Sequence, residues 1–401
     1  MKKHALNNSM LSQNTVGKSD VWLVGVTLLL VAFGVLMVYS AGSYTGERIY
    51  GTKYYYVYKQ LMGAALGAAA MFLFSRIDYH VLHKLRYVIL AVSVVLLAIV
   101  FLPGVGITNY GARRWISLPF FTIQASEISK FGFIVFAAAY IGSHEKEITT
   151  FRGILPVVAV GGIICLLIIL EPNMSVTICM ALLMIVMLFL GGAKIKHLLF
   201  IIVPLAALAV VLILIEPYRF ARLMAFLDPW ESPLEEGYQL IQSYYGLGAG
   251  GFFGVGLFNS RQKYLFLPFA ESDFIFSVIG EEFGLFGCML VMVGYLFVIR
   301  RALKISMGAS DRFGSLLASG IAAIIAIQVM VNIAVVTGSI PPTGLPLPFI
   351  SSGSSGLIVF MSGIGVLNSV KRRSHKSSEF MFSKSGIKKP KSKIKPLKRS
   401  I

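Results

Sequence analysis

Charge is scarce in this chain. Asp, Glu, Lys and Arg together make up 13% of its 401 residues, about half the share of an ordinary soluble domain. Set beside 56% hydrophobic residues, that scarcity excludes a soluble globular protein and implies one that crosses a membrane many times. Cysteine is scarce too. Cys165, Cys179 and Cys288 all fall in apolar runs, which excludes a disulfide framework and leaves small buried hydrophobes. Histidine offers no chemistry on the outer side: His4 lies in the N-terminal segment, and His80, His83, His144, His197 and His375 lie in segments assigned to the cytoplasm. There is no Cys/His metal spacing, no nucleophile elbow and no Ser-His-Asp order. Base chemistry outside the membrane must therefore come from a carboxylate.

What is abundant is apolar sequence in long runs. A membrane helix needs about 20 such residues. Ten runs qualify, with cores at 21–41, 57–75, 87–103, 126–143, 153–170, 174–192, 198–216, 274–298, 314–337 and 353–370. They predict an all-α polytopic membrane protein: a tail over 1–20, a ten-span domain over 21–370, and a basic tail over 371–401. The first run is longer than a signal-peptide core and nine more follow, so it reads as a retained anchor.

The formal charge of +18 sits in short loops and at the termini, a distribution that orients a membrane protein and does not call for nucleic acid. Lys2, Lys3, Lys18, Arg76, Lys84, Arg86, Lys146, Arg152, Lys194, Lys196, Arg300, Arg301, Lys304 and Arg312 share one side. The tail adds twelve Lys and Arg against the single Glu379 and is expected to be disordered beside anionic lipid. This bias puts both termini in the cytoplasm of a bacterial inner-membrane protein. Arg113, Arg114, Arg219 and Arg222 fall on the other side, against the rule, and are candidates for a task.

Three outer loops stand out: 104–125, 217–273 and 338–352. A loop as long as 217–273 is usually functional, and pieces such as "GYQLIQSYYGLG" are expected as short interfacial helices. The glycines of "GLGAGGFFGVGLFNSRQK" lack a strand-turn-helix context, so they imply close backbone approach and no nucleotide fingerprint.

Four constellations could carry chemistry. "YGARRWI" offers Arg113 and Arg114 to a phosphate or pyrophosphate at headgroup depth; lipid phosphates or loop carboxylates would equally occupy them. Glu127 and Lys130 in "QASEISKF" stand i, i+3 and can pair on one helix face, structurally or functionally. Lys263 and Arg261 end the glycine-rich stretch. In "FAESDFIFSVIGEEFG", Asp273 reads as a helix N-cap or a catalytic base, with Glu271 close by. Glu281 and Glu282 lie too far along the helix for a cap and must face polar partners or water.

Together these stretches resemble the SEDS family of peptidoglycan polymerases, which includes FtsW, RodA and SpoVE. "GARRWI", "QASEISK", "EPN", "RFARLMAFLDPW", "GYQLIQS", "GVGLFNSRQKYLFLPFAESDFIFSVIGEEFG" and "PPTGLPLPFISSGSSGL" occur in family order. "FLDPW" and "SRQK" look closest to the FtsW and SpoVE branch. Ala125, Asn173, Phe269 and Ser352 depart from the family pattern. The resemblance implies an inverting glycosyltransferase that polymerises lipid II on the outer leaflet for division or a related morphogenetic process. It makes Asp273 the catalytic residue. The substrate contacts it implies are Arg113, Arg114, Glu127, Lys130, Lys263, Glu271, Ser354 and Ser355. The expected partners are lipid II, undecaprenyl-linked glycan, a class B penicillin-binding protein and other divisome or elongasome proteins, with no nucleic acid. Nothing in the sequence requires a cofactor; a divalent ion, Mg or Mn, is an optional helper. The competing classes are a flippase of a lipid-linked precursor, lined by Glu281 and Glu282, and a scaffold. Polar groups gathered at the outer boundary favour the enzyme.

Overall fold

The computed structural model describes residues 17–102, 105–109, 112–117 and 122–384. The expected tails up to residue 16 and beyond residue 384 lie outside the described residues. Thirteen α-helices and one small sheet follow in order: α1 (Val21–Tyr50), α2 (Tyr55–Arg76), α3 (Tyr79–Lys84), α4 (Arg86–Ile99), β1 (Gly106–Asn109), β2 (Ala112–Ser117), β3 (Thr122–Gln124), α5 (Ala125–Ser143), α6 (Phe151–Leu170) and α7 (Met174–Gly191). Then come α8 (Ile195–Ile215), α9 (Pro217–Leu227), α10 (Tyr238–Gly250), α11 (Ile275–Met307), α12 (Arg312–Val336) and α13 (Ser354–Lys384).

Among the described residues, nine helices are long and apolar enough to span: α1, α2, α5, α6, α7, α8, α11, α12 and α13. The tenth expected run, 87–103, folds as α4, only 14 residues long. At 1.5 Å per residue it covers about 21 Å, short of the ~30 Å hydrocarbon core. It stops because the chain turns at Val100–Leu102 to enter a three-stranded antiparallel sheet ordered β1-β2-β3. That sheet is the one departure from an all-α fold, and it occupies the loop expected at 104–125. The basic segment after residue 370 also differs from the expected disorder, since α13 continues through Lys384.

Local signals explain the ends. Asp20 caps α1 through its carboxylate on the Leu23 N–H, and Gly51 closes the helix in the left-handed conformation. Asp20 also takes two hydrogen bonds from Arg301 and accepts none of the solvent a free cap would, so the start of α1 is tied to the far end of α11. Helices α5 and α12 form the buried centre, whereas α8 is the most exposed span and leans on α7 and α9.

Helix α11 is broken. Gly284 has φ 66° and ψ −165°, a region open only to glycine. The break frees backbone groups inside the protein, and the glycine-rich segment after α10 satisfies them. Val255 N and Gly256 N donate to the carbonyls of Glu281 and Glu282 at 2.9 and 3.0 Å, while Leu285 N and Phe286 N donate to Gly251 and Phe252 carbonyls at 2.9 and 3.0 Å. A Cβ on Gly254 would sit 2.2 Å from the Glu282 carbonyl oxygen, so close approach is what those glycines provide. The 217–273 loop is thus largely ordered: α9, α10 and a turn-rich return to α11.

Candidate active site

Asp273 ends that return. Phe269 takes a left-handed φ of 57°, which lets Ser272 N and Phe274 N both donate to its carbonyl, at 3.1 and 3.3 Å. Asn332 of α12 donates from Nδ2 to the carbonyls of Asp273 (2.7 Å) and Leu345 (2.8 Å). Ser351 Oγ donates to the Ser272 carbonyl at 2.6 Å and accepts from Leu347 N at 2.7 Å. Ser352 N donates to the Glu271 carbonyl at 2.9 Å. The proline-rich 338–352 segment is therefore a clamp that fixes the Asp273 backbone. At Gly344 a Cβ would lie 3.1 Å from Asp273 Oδ2, so the carboxylate faces that bare stretch of backbone.

The Asp273 side chain is half-buried. Burial pushes its pKa up from 3.8 to about 7, the Glu271 charge adds to the rise, and Ser272, Arg114 and Arg222 pull the other way. Glu271 is 7% exposed. Burial raises its pKa as well, opposed by its own backbone and by a hydrogen bond with Tyr56. Two neighbouring carboxyls that resist ionisation near neutral pH suit proton transfer.

The adjacent arginines of β2 part company, because successive side chains on a strand point to opposite faces. Arg113 is exposed. Arg114 turns inward, donating from Nε to the Glu171 carbonyl at 3.2 Å and from Nη2 to the Pro172 carbonyl. Glu171, 1% exposed, has no hydrogen-bond partner on either carboxyl oxygen; burial raises its pKa to about 8 against the pull of Arg114.

Other expected substrate contacts are placed elsewhere. Lys263 is 5% exposed and pairs with Glu282 at 3.1 Å. Ser40 Oγ also donates to Glu282, at 2.5 Å, and Ser260 N at 3.3 Å. Glu281 accepts from Arg261 N at 2.8 Å, from Gln262 N at 3.3 Å and from Ser260 Oγ. The two acids hold the broken end of α11 to its neighbours, and Lys263 is consumed in that task. Glu127 and Lys130 form a pair at 2.7 Å, 1% and 0% exposed; Lys130 also reaches Gln328 at 2.9 Å, and Gln328 donates to the Pro346 carbonyl at 3.0 Å. This pair lies beneath the clamp and supports it from below. Ser354 Oγ donates to the Lys59 carbonyl at 2.9 Å, and Ser355 Oγ accepts from Gln124 N at 3.3 Å. These two serines join the start of α13 to α2 and β3.

Asn332, Ser351, Gly344 and Glu171 escaped the sequence reading. Only "EPN" carried a signal, as an acid between two apolar runs. Asn332 and Ser351 act through backbone contacts that no spacing announces. Among the described residues no group of three or more His, Cys, Asp or Glu gathers as a metal cage, so a divalent ion would need substrate oxygens to complete its shell.

This architecture has known relatives. Stage V sporulation protein E of Bacillus subtilis is 40% identical over 358 residues, spanning 88% of this chain and 97% of that protein. A probable peptidoglycan glycosyltransferase FtsW of Geobacter is 37% identical over 356 residues, spanning 88% and 97%. Among solved structures, a chain of a peptidoglycan synthase complex that coordinates polymerization and crosslinking superposes with a TM-score of 0.73 at 28% identity, covering 89% of this chain and 98% of that one. The crystal structure of the Thermus thermophilus rod shape determining protein RodA gives a TM-score of 0.67 at 25% identity over the same shares, 89% and 98%. The cell cycle protein family of FtsW, RodA and SpoVE matches residues 21–376, and this multi-pass membrane protein belongs to it.

Proposed function

We propose that this chain is a peptidoglycan glycosyltransferase that polymerises lipid II on the outer face of the cytoplasmic membrane, in division or sporulation. The observation that carries the reading is the half-buried Asp273 carboxyl, poised near neutral pH beside Glu271 and within the field of Arg114 and Arg222. In its ionised form Asp273 takes the proton of the acceptor sugar's 4-hydroxyl. That oxygen attacks the anomeric carbon of the lipid-linked donor from the face opposite the leaving group, so the configuration inverts. The bond to undecaprenyl diphosphate breaks, and Arg114 meets the charge that develops there. Arg113, on the outer face of β2, is suited to guide the anionic headgroup. One positioned base contributes about 10²–10⁴-fold.

Both termini lie in the cytoplasm in this reading, and a class B penicillin-binding protein and other divisome or elongasome proteins are the partners. The flippase alternative loses its main support, because Glu281 and Glu282 are occupied by Ser260, Ser40 and Lys263. The test supplies lipid II in vesicles to purified protein, with and without a candidate class B penicillin-binding protein. Glycan strands are the expected product. Transfer of lipid II between leaflets with no glycan formed would refute the reading.

A further inference from the structure

Helix α9 carries Arg219 and Arg222 less than one turn apart, and the fold uses them differently. Arg219 turns back, donating from Nη1 to the Leu212 carbonyl of α8 at 3.2 Å. Arg222 turns toward Glu236, with Nε and Oε2 3.6 Å apart and the side chains 36% and 33% exposed. Charge-assisted hydrogen bonds measure about 2.7–2.9 Å, so this is a loose pair, open to water and weak. Arg222 and Glu236 line a cavity of about 170 Å³ together with Gln239, Pro268 and Pro342. That cavity adjoins the catalytic carboxyl. Pro342 stands just before Gly344, which faces Asp273 Oδ2. Gln239 Nε2 donates to the Pro268 carbonyl at 3.1 Å, tying α10 to the segment that ends in Asp273.

Depth and availability both single out Arg222. A polyprenyl donor keeps its tail in the bilayer and its diphosphate at the membrane surface. Helix α9 begins at Pro217, directly after the span α8 ends, and combines the arginines with Phe220, Leu223 and Phe226, as an interfacial helix does. Two guanidiniums act on Asp273 electrostatically, those of Arg114 and Arg222. Arg114 gives Nε and Nη2 to the carbonyls of Glu171 and Pro172; redirecting those donors would strand backbone acceptors. Arg222 can change partner by leaving a solvated carboxylate.

We propose that Arg222 exchanges Glu236 for the diphosphate of the lipid-linked donor, the ion pair being the resting form of a leaving-group site. The inference rests on the glycosyltransferase reading above. In the step it serves, the acceptor oxygen bonds to the anomeric carbon. The bond from that carbon to the diphosphate oxygen breaks, its electron pair stays on the diphosphate, and the acceptor proton passes to Asp273. The Arg222 guanidinium meets the added negative charge, and Glu236 is left to the water of the cavity.

The test compares wild type with Arg222→Gln, Arg222→Lys and Glu236→Gln, as full-length protein with a candidate class B penicillin-binding protein. It reads lipid II polymerisation and its inhibition by undecaprenyl diphosphate and undecaprenyl monophosphate. Arg222→Gln should weaken inhibition by the diphosphate about tenfold and lower kcat/KM by about 10²-fold, with part restored in Arg222→Lys. Glu236→Gln should act in the opposite direction, tightening diphosphate inhibition several-fold, because the competing carboxylate is gone. Inhibition by the monophosphate should change less in each variant. If Glu236→Gln weakens inhibition as Arg222→Gln does, the pair is structural and the proposal fails. Unchanged diphosphate inhibition in Arg222→Gln overturns it as well. Should Arg222→Gln not fold, the opposite signs expected of Arg222→Lys and Glu236→Gln still decide the matter. A wild-type protein that makes no glycan would instead refute the underlying activity.

Discussion

Replacing Asp273 by Asn removes a carboxyl that the fold makes hard to ionise while keeping its shape. Its pKa stands at about 7 against an ordinary 3.8, chiefly through burial and then through Glu271, with Ser272, Arg114 and Arg222 opposing. Each pH unit of difference corresponds to about 1.4 kcal/mol, so a fully desolvated carboxyl would lose about 4 kcal/mol of folding stability on ionising. Screening through its open face brings the figure nearer 2 kcal/mol. The sign follows from linkage. The folded state binds the proton more tightly, so the contribution is complete below about pH 4, declines as the pH rises, and is gone above about pH 7. Asn has no proton to lose. Asp273→Asn should therefore gain on wild type between pH 4 and 7 and stay about 2 kcal/mol more stable at pH 8. Thermal unfolding in detergent can be followed with a thiol-reactive dye, since Cys165, Cys179 and Cys288 are free and buried. Identical pH dependence of the two melting temperatures would refute the desolvated carboxyl.

The same assay tests the scaffold beneath the site. Lys263→Ala leaves the Glu282 carboxylate buried without its cation and should cost about 3–5 kcal/mol, whereas Lys263→Met combined with Glu282→Gln should lose less; a Lys263→Ala protein that melts like wild type would show that the pair is not buried. Gly284→Ala forces a Cβ to within 2.4 Å of Gly254 N and 2.5 Å of the Phe252 carbonyl oxygen at a φ of 66°, and should cost about 3 kcal/mol or more. Gly25→Ala, in α1 with nothing within 4 Å of the new methyl, should stay within about 1 kcal/mol of wild type. Equal melting of the two glycine variants would contradict the break in α11.

The spans were legible because a bilayer demands long apolar runs, and nine of the ten expected runs became spanning helices. The exception is instructive. The run at 87–103 has the composition of a span, but the sheet that follows claims the chain after Ile99, and the alternation in "ARRWIS" is too short to announce a strand. The same strand splits Arg113 from Arg114, which adjacency in sequence had grouped. Lys263 lay near Glu281 and Glu282 in sequence, yet its burial against Glu282 depends on the break at Gly284, a conformation that composition alone does not reveal. Glu127 and Lys130 were readable as a pair from their i, i+3 spacing, and their depth beneath the clamp was not. The clamp itself works through Asn332, Ser351 and backbone carbonyls. Those are long-range contacts, and no periodicity encodes them.

The central claim is that Asp273 is the base of a glycosyl transfer. Its most direct test measures the rate of lipid II polymerisation by wild type and Asp273→Asn, each with a candidate class B penicillin-binding protein, from pH 5 to pH 9. The account predicts that the wild-type rate rises through about pH 7 as the carboxyl ionises, and that the folded Asn variant is slower by about 10²–10⁴-fold with no such rise. Polymerisation by Asp273→Asn at the wild-type rate, with the same pH profile, would contradict it.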